Sequence, residues 1–291
     1  MCVALFAWTS GYGLSASLKR FAKDDQFKLV LAYRDATIRL IRFLFMYLVV
    51  FVVSAPILYY RGIITETAQL LLGLLTYRTD FNGGWWYVHQ YEYFLCIAPG
   101  LAAVFYGLQR KKWKTAVLGI GVSVIVALLF HFVLKRGSTL YLLIFLEAFI
   151  ASWFKLYEEL FQRFDELSTK PSKVIAIAAI FVLCGTRLLI THQASYSTAD
   201  VVITPLLVFC VVVVGRTFEG LEWIGVNCFW LWLVSTMIQA CIGDQLRVIR
   251  ASILYYAAIL VGSIVVAAVL KKLYKGTLDR LYKKIKIGIA S

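Results

Sequence analysis

The chain has 291 residues, of which 61% are hydrophobic and only 16% charged, and its mean hydropathy is +0.79. A water-soluble domain of this size is nearer to half apolar and a quarter charged, so the composition excludes that class. The apolar runs are long enough to span a bilayer, which predicts an all-α fold: a polytopic transmembrane helix bundle with the lipid bilayer as its solvent.

The predicted spans follow from length, because a helix needs about 20 mostly apolar residues to cross the bilayer. Eight full spans are predicted, in chain order 40–60, 85–108, 115–134, 139–156, 173–190, 200–215, 224–243 and 251–270. The apolar stretch 1–13 is too short to span alone and counts as a partial N-terminal ninth. Segment 65–76 is about half a span long and is predicted to be an interfacial or re-entrant helix, with Thr65 as its cap.

The basic residues predict the orientation. Alternate loops hold 23 of the 30 Lys and Arg residues, namely loops 14–42, 109–114, 155–173, 216–222 and 271–291. Such residues accumulate on the cytoplasmic side. We therefore expect residues 1–270 to form a single transmembrane domain and residues 271–291 a basic amphipathic tail on the cytoplasmic leaflet. Because the net charge of +14 lies in these loops, no nucleic-acid partner is expected.

The six cysteines occur singly along the chain. Neither they nor the three histidines have the spacing of metal ligands. Isolated cysteines in apolar segments behave as small hydrophobic residues. We therefore expect no disulfide framework, no metal site and no bound cofactor.

Six segments carry motifs in a fixed order along nearly the whole chain. They are VALFAWTSGYGL (3–14), YRDATIRLIRFLFMYL (33–48), NGGWWYVHQYEYFLCIAPGL (82–101), FLEAFIASWFKLYEELFQRF (145–164), TADVVITPLLVF (198–209) and IGVNCFWLWLVST (224–236). Together they resemble the acyltransferase 3 family of integral-membrane O-acyltransferases, in its bacterial polysaccharide-modifying branch. Each motif is weak alone, and their order gives the resemblance its specificity.

Two features depart from that family's pattern. The family's first helix, which carries the histidine usually assigned as catalytic, has no counterpart, so we expect the chain to be N-terminally incomplete. In the penultimate helix, Asn227, Cys228 and Ser235 stand where the family has His, Ser and His. An inactive truncated acyltransferase is therefore one alternative.

The resemblance implies a reaction and a location. An acyl group, usually acetyl, would pass from acyl-CoA, a co-substrate on the cytoplasmic side, to a hydroxyl of a cell-surface polysaccharide or lipid-linked sugar. The location would be the inner membrane of a bacterium. The competing alternative is a non-enzymatic transporter or flippase of glycans or lipids, although the sequence has no convincing internal repeat of interrupted helices.

Ionisable residues within spans cost about 2.5–3.5 kcal/mol each on insertion scales, which makes them candidate functional residues. His89 and Glu92 are three residues apart, hence on one helical face, next to Trp85 and Trp86. One interpretation is a catalytic acid–base pair near aromatic rings that stack on a sugar. The other is an interfacial aromatic belt in which His89 faces lipid headgroups.

Further charged candidates lie in the second half of the chain. Arg187 and Asp200 flank an outer loop, and they either pair to close a hairpin or leave Arg187 to hold an anionic group of a substrate. Glu147 lies in the middle of a span without a local counter-ion. It is either a polar link between helices or a catalytic residue.

On the predicted cytoplasmic side, Arg34, Arg39 and Arg42 open the first full span. They either anchor the helix at the membrane surface or clamp the phosphates of acyl-CoA, the donor that the resemblance implies. Ser10 and Tyr12 flank Gly11 in a predicted tight turn. This turn either packs closely or lines the donor site, because glycine permits a close backbone approach.

Overall fold

Helices account for nearly all of the structure, a computed structural model, which confirms the all-α prediction. It describes residues 2–23, 26–77, 85–134, 138–156, 170–190, 196–215, 219–246 and 252–290. A short antiparallel ladder of β1 (Ala22–Lys23) and β2 (Gln26–Phe27) lies in the connection between the first two helices.

The α-helices are numbered in chain order. They are α1 Cys2–Leu18, α2 Leu29–Tyr60, α3 Thr67–Leu74, α4 Tyr87–Gln109, α5 Trp113–Leu128, α6 Thr139–Trp153, α7 Lys170–Ile190, α8 Tyr196–Gly215, α9 Glu219–Leu246 and α10 Ser252–Ala290. A single 3-10 turn, Lys19–Phe21, follows α1, and a π-helical turn, Leu129–Val133, extends α5.

The eight predicted segments fall on helices, and the long apolar helices among them mark the chain as a membrane protein. Within the described residues, four stretches are long and apolar enough to cross a bilayer: Leu29–Tyr60, Tyr87–Gln109, Trp113–Val133 and Leu254–Lys272. Three more helices are apolar but shorter: Thr139–Trp153, Thr198–Val214 and Phe229–Gly243.

The helix ends differ from the predicted ones where polar residues continue a helix. α2 begins at Leu29 rather than at residue 40, because hydropathy detects the apolar part of a helix and not its amphipathic extension. For the same reason the predicted tail is continuous with the last helix, α10. The Thr65 cap is wrong: Glu66 is the N-cap of α3, and the backbone N–H of Thr65 donates to Gln69 Oε1 at 3.0 Å.

The chain divides into two compact units. Unit 1 comprises Met1–Ala36 and Gln90–Glu222, and unit 2 comprises Thr37–His89 and Trp223–Ser291. The division passes through α2 and α4, so each of these helices contributes to both units.

The core of unit 1 forms where α1 packs along α6. Gly11 is buried in this contact, and a Cβ at that position would overlap the carbonyl oxygen of Phe145. Glycine is therefore required there for close helix packing. Ser10 and Tyr12 lie in the middle of α1 and not in a turn, whereas the close packing predicted as one role of this segment is present at Gly11. Farther into the core, Phe94 of α4 stacks on Phe145 with ring centroids 4.2 Å apart.

The core of unit 2 is an aromatic cluster beside the start of α4. The Trp85 ring packs edge-on against Tyr47 at 5.5 Å and lies 6.0 Å from Phe51 of α2. The Tyr47 hydroxyl donates to the Gly73 carbonyl at 3.1 Å, which ties α3 to α2. This hydrogen bond satisfies the polar end of an otherwise apolar side chain.

Candidate active site

Helix α4 carries the candidate acid–base residues. His89 is half-buried in its first turn, and Glu92 follows three residues later with only 8% of its surface exposed. At 3.6 residues per turn, this spacing directs both side chains to one face of the helix. The structure therefore agrees with the predicted common face and adds the burial of the carboxyl group.

Two residues that the sequence did not single out, Cys96 and Tyr33, extend the polar surroundings of Glu92 in unit 1. Cys96 lies one turn further along α4, close enough for its thiol to interact electrostatically with the Glu92 carboxyl group. The phenol of Tyr33, from α2, lies near Cys96 and the backbone of Gly100. The thiol of Cys96 thus has the Glu92 carboxyl group on one side and the Tyr33 phenol on the other. Burying polar groups inside an apolar bundle costs free energy unless they have partners.

The two neighbouring tryptophans have different environments. Trp85 is completely buried in the aromatic cluster of unit 2, and within the described part of the chain its Nε1 has no hydrogen-bond partner. Trp86 is 36% exposed and meets Tyr87 edge-on at 6.1 Å. Only Trp86 therefore presents ring surface on which a sugar can stack, and Trp85 acts by packing.

The structure brings Arg187 and Asp200 together. The Arg187 Nε–H donates to Asp200 Oδ1 at 2.5 Å and Nη2–H donates to Oδ2 at 3.1 Å, so the pair is bidentate. Both side chains are buried, Asp200 to 1% exposure. This geometry favours the interpretation that the pair closes a hairpin, because two N–H groups of the guanidinium group donate to the neighbouring carboxylate.

The residues predicted to bind the acyl donor lie on α2 and α1. Arg34 and Arg39 are half-buried on α2, and Arg42 is exposed. Helical spacing puts Arg39 and Arg42 on one face, with Arg34 about 140° round the helix from Arg39. Tyr12 stacks on Trp8 of its own helix at 5.5 Å, and Ser10 is half-buried beside it.

Polar contacts between distant parts of the chain were missed by sequence reasoning. In unit 2, Lys271 Nζ donates to Asn227 Oδ1 at 2.5 Å, so a residue assigned to the tail is a partner of the penultimate helix. In unit 1, the side-chain oxygen of Gln90 accepts from the Ser138 backbone N–H at 2.5 Å. These pairs are 44 and 48 residues apart in sequence, and no local pattern links them.

Some predicted features lie outside the described residues. They are the Asn82–Gly84 part of the Asn-Gly-x-Trp-Trp motif, the loop 157–169 and the loop 191–195. Glu147 is half-buried in α6, and its Oε2 has no hydrogen-bond partner among the described residues. Within the same residues, no three His, Cys, Asp or Glu side chains gather as a metal-binding group.

The fold and the buried ionisable residues define a class: a helical membrane protein with a polar centre inside apolar helices. A family model described as an acyltransferase domain, that of the acyltransferase 3 family, matches residues 1–272. The chain belongs to this family, and the resemblance noted from its motifs is confirmed. Neither a search of curated proteins nor a search of solved structures gives a match.

Proposed function

We propose that this chain is a membrane-bound O-acyltransferase of the bacterial inner membrane, with eight spans and a cytoplasmic C-terminus. It transfers an acyl group, usually acetyl, from acyl-CoA to a hydroxyl of a cell-surface polysaccharide or lipid-linked glycan. The observation that carries the proposal is the family match over residues 1–272, combined with the buried Glu92 carboxyl group beside His89 on α4.

The proposed chemistry is general base catalysis at α4. His89 or Glu92 takes the proton of the sugar hydroxyl, or activates a carrier of the acyl group. The oxygen then forms an ester with the acyl carbon, the thioester C–S bond breaks, and the CoA sulfur leaves and is protonated. Trp86 offers a ring face to the sugar, and Arg34, Arg39 and Arg42 are proposed to orient the phosphates of the donor.

The experiment compares acetylation of the surface glycan in cells with the gene, without it, and with single variants. We expect loss of glycan acetate without the gene. For Glu92→Gln and His89→Gln we expect a decrease of about 100-fold or more in acyl transfer, since a general acid–base residue contributes about 10²–10⁴. Acetate is measured by NMR of the isolated glycan and by alkaline release.

Matched variants control for folding and for loss of charge. His131→Gln alters an exposed histidine of the π-helical turn, and Glu66→Gln an exposed carboxylate before α3. Both are expected to retain acyl transfer. Glycan acetate that is unchanged on deletion of an expressed gene excludes the enzyme and leaves a transporter or an inactive family member.

A further inference from the structure

Three helices of unit 1 end around one cavity of about 240 Å³. Lys19, just after α1, lines it together with Arg110, which follows α4, and Lys155, which follows α6. Each cation comes from a different loop of the set that the charge bias assigns to the cytoplasm. None of the described residues that line the cavity is acidic.

Two neutral donors also line this cavity and are almost completely buried. Tyr106 of α4 is 3% exposed and Trp153 of α6 is 4% exposed. Within the described part of the chain, the Tyr106 hydroxyl and the Trp153 Nε1–H have no hydrogen-bond partner. A buried donor without an acceptor costs about 1–3 kcal/mol, so an acceptor from another molecule would relieve both groups.

Packing holds the two rings in place. The Trp153 ring stacks on Phe149 with an interplanar angle of 5° and centroids 6.2 Å apart. The Tyr106 ring lies 5.8 Å from Phe27 of β2. The donors therefore have fixed positions, which lowers the entropy that a ligand must overcome on binding.

A simpler explanation covers only part of these observations. Basic residues after a helix complement the partial negative charge of its last carbonyl groups, and Lys19 Nζ does donate to the Ser152 carbonyl at 2.6 Å. Helix ends and membrane orientation thus account for the cations. They do not account for two buried neutral donors beside those cations, because neither donor has a hydrogen-bond partner among the described residues.

We propose that this cavity binds a phosphate group. A phosphate mono- or diester has negative charge for the three cations and several acceptor oxygens for Tyr106 and Trp153. The volume lies just below the range of about 300–1,000 Å³ typical of small-molecule pockets, which fits a phosphate and a small substituent. The site does not depend on acyl transfer, and its ligand is either the headgroup of an anionic phospholipid or a soluble phosphate compound.

The experiment has one arm for each source and uses the full-length protein. In the soluble arm, protein in phosphatidylcholine nanodiscs is titrated with inorganic pyrophosphate by calorimetry. In the lipid arm, protein from vesicles of phosphatidylcholine with phosphatidylglycerol is delipidated stepwise, and the retained lipid is identified by native mass spectrometry. Saturable binding in the first arm identifies a soluble ligand, and selective retention of phosphatidylglycerol in the second identifies a headgroup.

Variants assign the binding to this cavity. Arg110→Gln and Lys155→Asn each remove a cation and are expected to weaken binding about tenfold, and Tyr106→Phe about threefold. Asparagine is chosen at Lys155 because that residue has a φ of 59°, which asparagine tolerates well. The control is Lys114→Gln, an exposed cation of the same end that does not line the cavity, with an expected change below about twofold.

Several results would overturn the proposal. One is equal affinity of the wild type and the three cavity variants when all unfold at the same temperature. Another is an equal loss with Lys114→Gln, because the attraction would then come from the general basic surface. Absence of binding in both arms also overturns it.

Discussion

The buried polar groups at the two ends of unit 1 differ in whether they have hydrogen-bond partners. At one end, Arg187 and Asp200 satisfy each other in a bidentate pair, and Gln90 serves the backbone of Ser138. At the other end, the Tyr106 hydroxyl and the Trp153 indole N–H line a basic cavity without an acceptor among the described residues. We expect the first arrangement to stabilise the fold, and the second to leave two donors for the ligand proposed above.

This difference matters because burying a polar group in a membrane protein costs desolvation free energy, whether or not the group has a partner. In a buried ion pair, the attraction between the two groups offsets the free energy of desolvation. Removing one partner therefore leaves an unpaired buried charge. A buried donor that has no acceptor in the protein gains a hydrogen bond only when a ligand binds. Removing that donor should therefore weaken ligand binding without destabilising the fold. This contrast predicts different effects on stability for variants at the two ends.

Breaking the Arg187–Asp200 pair should have the largest effect on stability. Asp200→Asn is expected to lower the free energy of unfolding by about 3–5 kcal/mol, because the guanidinium group loses its charged partner in a buried position. Denaturant unfolding in nanodiscs measures this change. The double variant Arg187→Met with Asp200→Leu should lose less than the single one. A single variant as stable as the wild type would contradict the hairpin interpretation.

Replacing Gly11 tests the close packing of α1 against α6. Gly11→Ala places a Cβ against the carbonyl oxygen of Phe145. Because this oxygen is a backbone atom, it cannot move away as a flexible side chain could. We expect a loss of about 1–3 kcal/mol, measured by thermal unfolding. Gly13→Ala is the matched control: it meets nothing within 4 Å and should stabilise α1 by about 0.5–1 kcal/mol. Equal effects at both positions would argue against close contact of α1 and α6.

The Gln90 contact should contribute less. Gln90→Met keeps the side-chain volume but leaves the Ser138 backbone N–H without its acceptor, at a cost of about 1–2 kcal/mol. Amide hydrogen exchange should show faster exchange at Ser138, the N-cap of α6. Unchanged protection of that amide would mean that it has another acceptor.

Removing a donor at the open end should have the smallest effect. In phosphate-free detergent, Tyr106→Phe is expected to change the free energy of unfolding by less than about 1 kcal/mol, and in the stabilising direction, since an unsatisfied hydroxyl is removed. The same thermal unfolding assay serves here. A marked destabilisation would show that the hydroxyl has a structural partner, and the contrast between the two ends would fail.

The family could be inferred from the sequence, and the site only in outline. The motif order from VALFAWTSGYGL onward is enough, because a family keeps its helices and their marked residues in register. The predicted face of His89 and Glu92 follows from helical spacing alone. Cys96, the neighbour of Glu92, and Tyr33, which lies near Cys96, could not be assigned, since Tyr33 reaches α4 from another helix.

Other assignments stayed open, because a glycine or a charged residue in a single sequence allows more than one role. Gly11 suggested a turn, and the structure uses it inside a helix, where the absence of a side chain lets α6 approach. The sequence allows two interpretations of Arg187, because a buried arginine pairs with whichever anion is nearest. Trp85 and Trp86 are adjacent in sequence, yet one is buried and the other is partly exposed.

The membrane environment, the helical segments and the family follow from the amino-acid sequence alone. These depend on hydropathy over about 20 residues and on motif order, both of which are local or additive properties. Helix packing, in contrast, sets which buried polar groups pair with each other and which have no partner among the described residues. That choice depends on contacts such as Lys19 with Ser152, 133 residues apart, and such contacts are fixed only when the helices pack.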